Sequence, residues 1–362
     1  MSAANGPVRM MMANEFWHGS TGRGLSEGFR SLGWDVAEID VAKFLADAGR
    51  SFASRVAARV TRPASVRDFN AHILALADQL DIEVMLTIKG TFITADTLRA
   101  LRKRGTYCVN FYPDVLFGHV GSSVDMLRLF DLVVTTKSYH LPYLTELLGE
   151  GRTEFVHHGY CPSAHSRRHP LAQAPYRWDI SHIGNPSPHK LEHLVALAEA
   201  FPDRSFAVMG NRWAAAAAGT ALERHVTAAP VLGDYFARAI EQSRINVAIH
   251  YGQVGEDGWE DLTSTRTFEI PAAGGFMLHV DNAEVRTLYE PGREVALFSS
   301  KAELIDQVGY YLEHEDERLA IARAGHERCV PAYSLTTRAM EIAGLVSARR
   351  PHATRGIAAP SA

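Results

Sequence analysis

The stretch VRMMMANEFWHGSTGRGLSEGFRSLGWDVAEI, from Val8 to Ile39, holds one full strand–helix–strand unit. Val8 to Ala13 is an apolar run of strand length, and a glycine-rich turn follows it. Leu25 to Leu32 carries helical spacing and closes on Gly33, the residue type that most readily takes the conformation ending a helix. Asp35 to Ile39 is the next strand. Apolar strands that alternate with amphipathic helices are the mark of a parallel α/β sheet covered on both faces.

The alternation extends through most of the chain. Val66 to Leu80 and Thr94 to Arg104 read as helices, the second ending in Gly105, and Glu83 to Ile88, Tyr107 to Phe111, Leu132 to Thr135 and Glu154 to His157 read as strands. The polar, proline-bearing segment Ser163 to Pro175 reads as a linker. A second series follows, with strands at Asp179 to Ile183, Ser205 to Met209, Ile245 to Ile249, Gly275 to His279 and Val295 to Phe298. Its helices are Lys190 to Ala200, Ala214 to Arg224, Tyr235 to Gln242, Arg266 to Ala272, Leu304 to Glu313 and Asp316 to Val330. The expected fold is α/β, two Rossmann-like parallel-sheet domains (1–165 and 176–335) facing each other across a cleft. Residues 336–348 are expected to form a helix returning towards the first domain, and 349–362 a disordered tail. Ligands of such sheets sit beyond the carboxyl ends of the strands, so the loops there are where function is sought.

Composition narrows the classes. The chain has 362 residues, 46% hydrophobic and 22% charged, enough for two domains with proper cores. A net charge of −4 speaks against tracking nucleic-acid phosphates. The 3 cysteines, Cys108, Cys161 and Cys329, are odd in number and far apart, which fits a reducing compartment better than a disulfide framework. The 17 histidines are scattered, and no Cys/His pair has the spacing of a zinc site, so no metal is expected. Met1 to Gly6 lacks the pattern of a signal peptide, and no stretch reaches the ~20 apolar residues that span a bilayer. A cytoplasmic protein without integral membrane association is the expectation.

The most informative motif is Asp261-LTSTRTFEIPAAG-Gly275. Ser264 can cap a helix that starts at Thr265, and the start offers backbone N–H groups, hydroxyls and the Arg266 cation to a diphosphate. Glu269 lies one turn on, where a carboxylate can accept from two neighbouring ribose hydroxyls. A capped amphipathic helix with a solvated Glu269 is the alternative. Next, Ser181-HIGNPSPH-Lys190 runs from a strand through Gly184 into a helix, a phosphate-friendly turn with Lys190 as the opposing charge. Gly184 as a simple turn residue and Lys190 as a surface side chain are equally open. Met209-GNR-Trp213 follows another strand and Val231-LGD-Tyr235 precedes a helix; Trp213 is well suited to the core. In the first half, Gly19, Ser20, Thr21 and Gly22 lie in a glycine-rich turn whose pattern is not G-x-G-x-x-G, which disfavours a dinucleotide site. His18 and Asp114 follow strands and are the acid/base candidates, each otherwise an ordinary loop residue.

The run Arg266-TFEIPAAGG-Phe276 resembles the signature of CgeB-type proteins, group-one glycosyltransferases of GT-B architecture. The turn Glu290 to Glu294, Phe298, Glu303-Leu304, Tyr311-Leu312, Arg318, Ile321-Ala322, Gly325 and Arg328 extend the likeness, which covers about Asp179 to Met340. The resemblance implies a metal-independent, cofactor-free transferase that moves a sugar from a nucleoside-diphosphate donor to a glycan, lipid-linked or small-molecule acceptor. It places diphosphate-binding groups around Gly184 and Lys190, a base between the loops of Gly210 and of Leu232 and Gly233, whose backbone groups would meet it, and acceptor or phosphate contacts on the loop of Gly19, Ser20, Thr21 and Gly22. Asp261 and Glu269 have the spacing of the paired acids of retaining relatives, so Glu269 would hold the ribose and Asp261 the donor sugar. Asp261 stands where those relatives carry Glu, a departure from the pattern. Two other readings stay open: a sugar-nucleotide epimerase on the same layout, and a nucleotide-sugar-binding protein without catalysis.

Overall fold

The computed structural model describes residues 7–45, 52–117, 123–166, 176–227, 230–254 and 258–350. The expected tail beyond Arg350 and most of the expected linker lie outside them. The chain forms two compact units, one of residues 1–157 and 336–362, the other of 158–335.

The first unit carries β1 (Arg9–Asn14), α1 (Thr21–Ser31), β2 (Asp35–Asp40), α2 (Phe52–Gln79), β3 (Val84–Ile88), α3 (Ala95–Lys103), β4 (Tyr107–Tyr112), β5 (Leu132–Thr135), α4 (His140–Leu148) and β6 (Thr153–Phe155). All six strands are parallel, in the order β2-β1-β3-β4-β5-β6. Met11, Met85, Cys108 and Val133 point into one buried cluster with Phe69, Ile73 and Phe130 from the covering elements. Burial pushes the Cys108 thiol far above its usual range, with the Asp131 carboxylate adding to it, so this cysteine is packing rather than chemistry.

Three local expectations change here. α1 begins at Thr21 rather than Leu25, because Ser20 caps it by accepting a hydrogen bond from Arg23 N at 3.1 Å. Thr21 and Gly22 are therefore helical, not loop. A carbon added to Gly22 would lie 2.4 Å from Glu15 O, so close chain approach explains the glycine. α2 extends back through Pro63 to Phe52, and α4 occupies a stretch in which no helix was expected.

The second unit contains α5 (Pro162–His165), β7 (Trp178–Ile183), α6 (Pro188–Ala200), β8 (Phe206–Met209), α7 (Trp213–Ala216), β9 (Val226–Thr227), α8 (Asp234–Glu241) and β10 (Ser243–Ala248). A short antiparallel pair, β11 (Gln253–Val254) and β12 (Trp259–Glu260), follows. Then come α9 (Arg266–Ala272), β13 (Met277–Val280), α10 (Ala283–Leu288), β14 (Ala296–Phe298), α11 (Lys301–Glu313) and α12 (Glu315–Cys329). Its parallel sheet runs β14-β13-β10-β7-β8-β9. Period two sorts the side chains: Val208, Val247 and Leu278 enter one apolar cluster, Ala207, Met209, Ala248 and Met277 the other. The helix expected over Ala214 to Arg224 does not form. α7 stops at Ala216, and Gly219, at φ +75°, turns the chain away. Ser163 to His165, expected as linker, lie in α5 inside this unit. The last helix, α13 (Leu335–Arg349), is held to the first unit by Arg349, whose Nε donates to Gly151 O at 2.9 Å and whose guanidinium pairs with Glu154.

Candidate functional site

In the second sheet the chain builds β7, β8 and β9 outward and then returns to lay β10 on the other side of β7. Loops leaving β7 and β10 diverge at that reversal, which is where ligands of open α/β sheets bind. Gly184, Lys190, Gly210 and Arg266, among the expected donor residues, gather there.

β7 ends at Ile183, and Gly184 follows. The indole N–H of Trp213 donates to Gly184 O at 2.6 Å, so this buried tryptophan is core and also fixes the loop. Gly210, at the end of β8, has φ +152°, and a side-chain carbon there would lie 2.1 Å from Gly184 O. Only glycine lets the two strand ends approach so closely. Ser187 caps α6 by accepting from Lys190 N at 3.3 Å and donates to Tyr251 O at 3.2 Å, tying the loops after β7 and β10 together. The Lys190 ammonium donates to Asn185 O at 3.1 Å. Leu232 is exposed, and Gly233 starts α8 at φ +54°.

Asp261 is buried and accepts from Tyr251 N at 3.2 Å, so the loop after β10 and the approach to α9 share this carboxylate. Thr263 donates to Glu284 at 2.8 Å and Asn282 donates to Leu262 O at 2.8 Å, stapling the same segment to α10. α9 itself departs from the expectation. It starts at Arg266, and its first N–H groups are engaged within the turn. Arg266 N donates to Ser264 Oγ at 3.3 Å, Thr267 N to Ser264 O at 3.1 Å, and Phe268 N and Glu269 N both to Thr265 O. The free amides expected to hold an anion are thus occupied, because a seven-residue helix closes its first turn on Ser264 and Thr265.

The Arg266 side chain is held at the same place. Arg266 Nε donates to Ile183 O at 2.8 Å and Nη1 to Thr265 Oγ1 at 2.9 Å, while Nη1 also pairs with the buried Glu269 carboxylate. Its guanidinium lies 4.6 Å from the ring centre of Phe236. A guanidinium has five N–H donors. Both protons of Nη2 are without a partner among the described residues, on a side chain about a quarter exposed at 26%. Glu269 Oε1 also lies 3.6 Å from Nδ1 of the buried His165.

Behind the segment sit two buried imidazoles. His279 Nδ1 is 2.6 Å from Val280 O, which can only accept, so Nδ1 carries the proton and Nε2 accepts. That Nε2 receives His250 Nε2–H at 2.8 Å and the Thr267 hydroxyl at 3.0 Å. Thr267 Oγ1 in turn accepts from Ser264 N at 3.2 Å, so the pair fixes the junction that aims Arg266. Burial holds His279 down at about 4, keeping it a neutral acceptor at ordinary pH. His165, His182, His250, His279 and Phe236 were not among the expected site residues. Only the strand-end placement of His182 and His279 could have signalled them.

The first unit gathers its candidates differently. His18 is exposed, Gly19 and Ser20 are buried beside it, and Asp114 pairs with Lys89 at 2.7 Å. Lys89, Gly90 and Phe92 all take positive φ, a sharp turn directly after β3.

Residues 189–344 match the family model described as glycosyl transferase-like. No curated protein matches the chain. Among solved structures, sucrose-phosphate synthase from Thermosynechococcus elongatus superposes with a TM-score of 0.65 at 13% identity, over 95% of this chain and 100% of that one. HepE of Anabaena, solved with UDP-glucose, gives 0.62 at 12% identity, over 94% of this chain and 99% of that one. A glycosyltransferase of avilamycin A biosynthesis gives 0.61 at 15% identity, over 96% and 99%. The superpositions show that the chain shares the GT-B fold of these neighbours, and residues 189–344 are similar to the glycosyl transferase-like family. No helix among the described residues is long and apolar enough to cross a membrane.

Proposed function

We propose that this glycosyltransferase takes a sugar from a nucleoside-diphosphate donor held by the second unit and passes it to an acceptor hydroxyl brought by the first. The observation that carries the reading is Arg266, anchored on three sides with Nη2 left open at the sheet's reversal point. The diphosphate is the leaving group. Charge developing on it is met by Arg266 and Lys190, fixed cations that need no reorganisation when the bond breaks, and that chemistry requires no metal. Glu269 keeps acceptor capacity beyond its bond to Arg266 and takes the ribose hydroxyls, while Asp261 takes hydroxyls of the donor sugar. Paired acids at this spacing fit transfer with retention. The resemblance of the segment from Arg266 to Gly275 to CgeB-type transferases supports this reading, and neighbours solved with UDP and UDP-glucose make a uridine nucleotide the first donor to try. On the first unit, Gly19, Ser20, Thr21 and Gly22 border the acceptor, with His18 or Asp114 receiving its proton. The acceptor itself is a glycan, a lipid-linked sugar or a small molecule, and the reaction belongs to the cytoplasm.

Calorimetric titration of the native protein and Glu269→Ala with UDP-, GDP-, ADP- and TDP-glucose tests the reading. The native protein should bind at least one, and the variant should bind it about 100-fold more weakly, ~2.7 kcal/mol. Equal affinity in the two proteins would remove Glu269, and with it the ribose site, from the account.

A further inference from the structure

We infer that His182 and Lys190 form a hydroxyl-recognising pair at the bare face of Gly184, an inference that rests on the donor reading above. His182, on β7, is 2% exposed. Its Nδ1 lies 2.9 Å from Val247 O, and because a carbonyl only accepts, Nδ1 holds the proton. That leaves Nε2 with a lone pair, buried and without a partner among the described residues. A buried acceptor left unmet costs stability, so a group in native structure that carries one calls for an explanation.

Gly184 supplies it. A side-chain carbon on this residue would lie 3.3 Å from His182 Nε2 and 3.6 Å from Lys190 Nζ, so the missing side chain opens a face flanked by one acceptor and one donor. The peptide cannot rotate that face away, since Trp213 holds its carbonyl and Gly210 packs on it. A phosphoryl oxygen only accepts and would meet the Nε2 lone pair. A hydroxyl matches both sides: it donates to Nε2 and accepts from Nζ.

The charged groups facing His182 are Lys190 from α6 and Arg266 from α9, while β10 offers only the Val247 carbonyl. Burial first, and the two cations after it, hold the imidazole near 3, so Nε2 stays an acceptor through the neutral range. The pair therefore selects a hydroxyl-bearing part of the ligand, ribose or sugar, beside the diphosphate that Arg266 and the other protons of Lys190 meet.

The test is calorimetry with two probes, inorganic pyrophosphate and the tightest-binding member of the sugar-nucleotide panel. The proteins are native, His182→Phe and His182→Gln, at about pH 6 and about pH 8. Phe should weaken the sugar nucleotide about tenfold and leave pyrophosphate unchanged, equally at both pH values. Gln, which keeps a donor for Val247 and an acceptor oxygen, should recover most of the loss. Gly184→Ala fills the open face from a different residue, and the same selective loss is expected even where the Phe variant fails to fold.

Equal weakening of pyrophosphate overturns the inference, as does an effect that grows towards pH 6, which would mean a protonated imidazole on phosphate. Unchanged sugar-nucleotide affinity in both His182→Phe and Gly184→Ala overturns the hydroxyl pair alone. A native protein that binds no sugar nucleotide overturns the donor reading and this inference together.

Discussion

The carboxyl edges of the two sheets end in different chemistry although both sheets are parallel and six-stranded. In the second unit the edge is cross-tied. Arg266 on α9 bonds the last carbonyl of β7, Ser187 bonds the carbonyl of Tyr251 after β10, and the His250–His279 pair locks Thr267 beneath both. Fixed groups of this kind bind developing charge without first paying to be ordered. In the first unit the matching edge pairs Lys89 with Asp114 on neighbouring loops, both side chains partly exposed, and His18 lies open to solvent. Neutralised and solvated groups suit an uncharged hydroxylic partner better than a diphosphate. On the proposed reading, this difference fits anion binding at the second unit's edge and an adaptable edge in the first.

Acid should separate the units most strongly. His182 and His279 are buried neutral in the second unit, held near 3 and near 4. Unfolded, each would take up a proton below about 6.5. The folded pKa is depressed, so the contribution is fully present above that value and is lost as pH falls towards 4, at about 1.4 kcal/mol per pH unit for each residue. Urea midpoints measured down this range should fall steeply in the native protein and more gently in the His182→Gln, His279→Gln double variant. A flat native profile would end the idea of buried neutral imidazoles.

Close approach gives the next contrast. Gly210→Ala places a carbon 2.1 Å from Gly184 O and should cost about 3 kcal/mol, together with donor binding, because it pushes β7 and β8 apart. Gly22→Ala, at 2.4 Å from Glu15 O, should cost about 1–3 kcal/mol and leave the donor affinity of the second unit alone. Thermal unfolding and titration of both variants would show whether the two edges are as differently coupled to donor binding as their hydrogen bonds imply.

Single charges give the smallest effect on stability. Arg266→Ala should lower donor affinity about 100-fold. Lys89→Ala, which breaks a partly exposed ion pair, should change stability by less than ~1 kcal/mol and donor affinity not at all. A donor defect in Lys89→Ala would erase the division of labour between the edges.

The alternation of apolar runs and helices, the glycine after α1 and the identity of the Arg266–Glu269 segment could all be read along the chain, because each depends on residues a few positions apart. α9 shows where that stops. Ser264, Thr265 and Arg266 were visible as anion-binding types, but whether the amides or the guanidinium would be open depended on how the first turn closed. The short α7 likewise followed from the turn at Gly219, against an alanine run that favours helix.

Local pattern alone determined that this chain makes two parallel-sheet units, and the resemblance carried by the run from Arg266 to Phe276 marked the second as transferase-like. Period and cap chemistry act over a few residues and need no partner. Only the tertiary structure decided that His182 faces Gly184, that His279 accepts from His250 and that Arg266 reaches Ile183. These groups are 29 to 83 positions apart or hidden on strands where any apolar residue would fit the pattern. The strand order around β7 brings them together, and hydrogen-bond geometry at that scale is set by packing, which no short-range rule encodes.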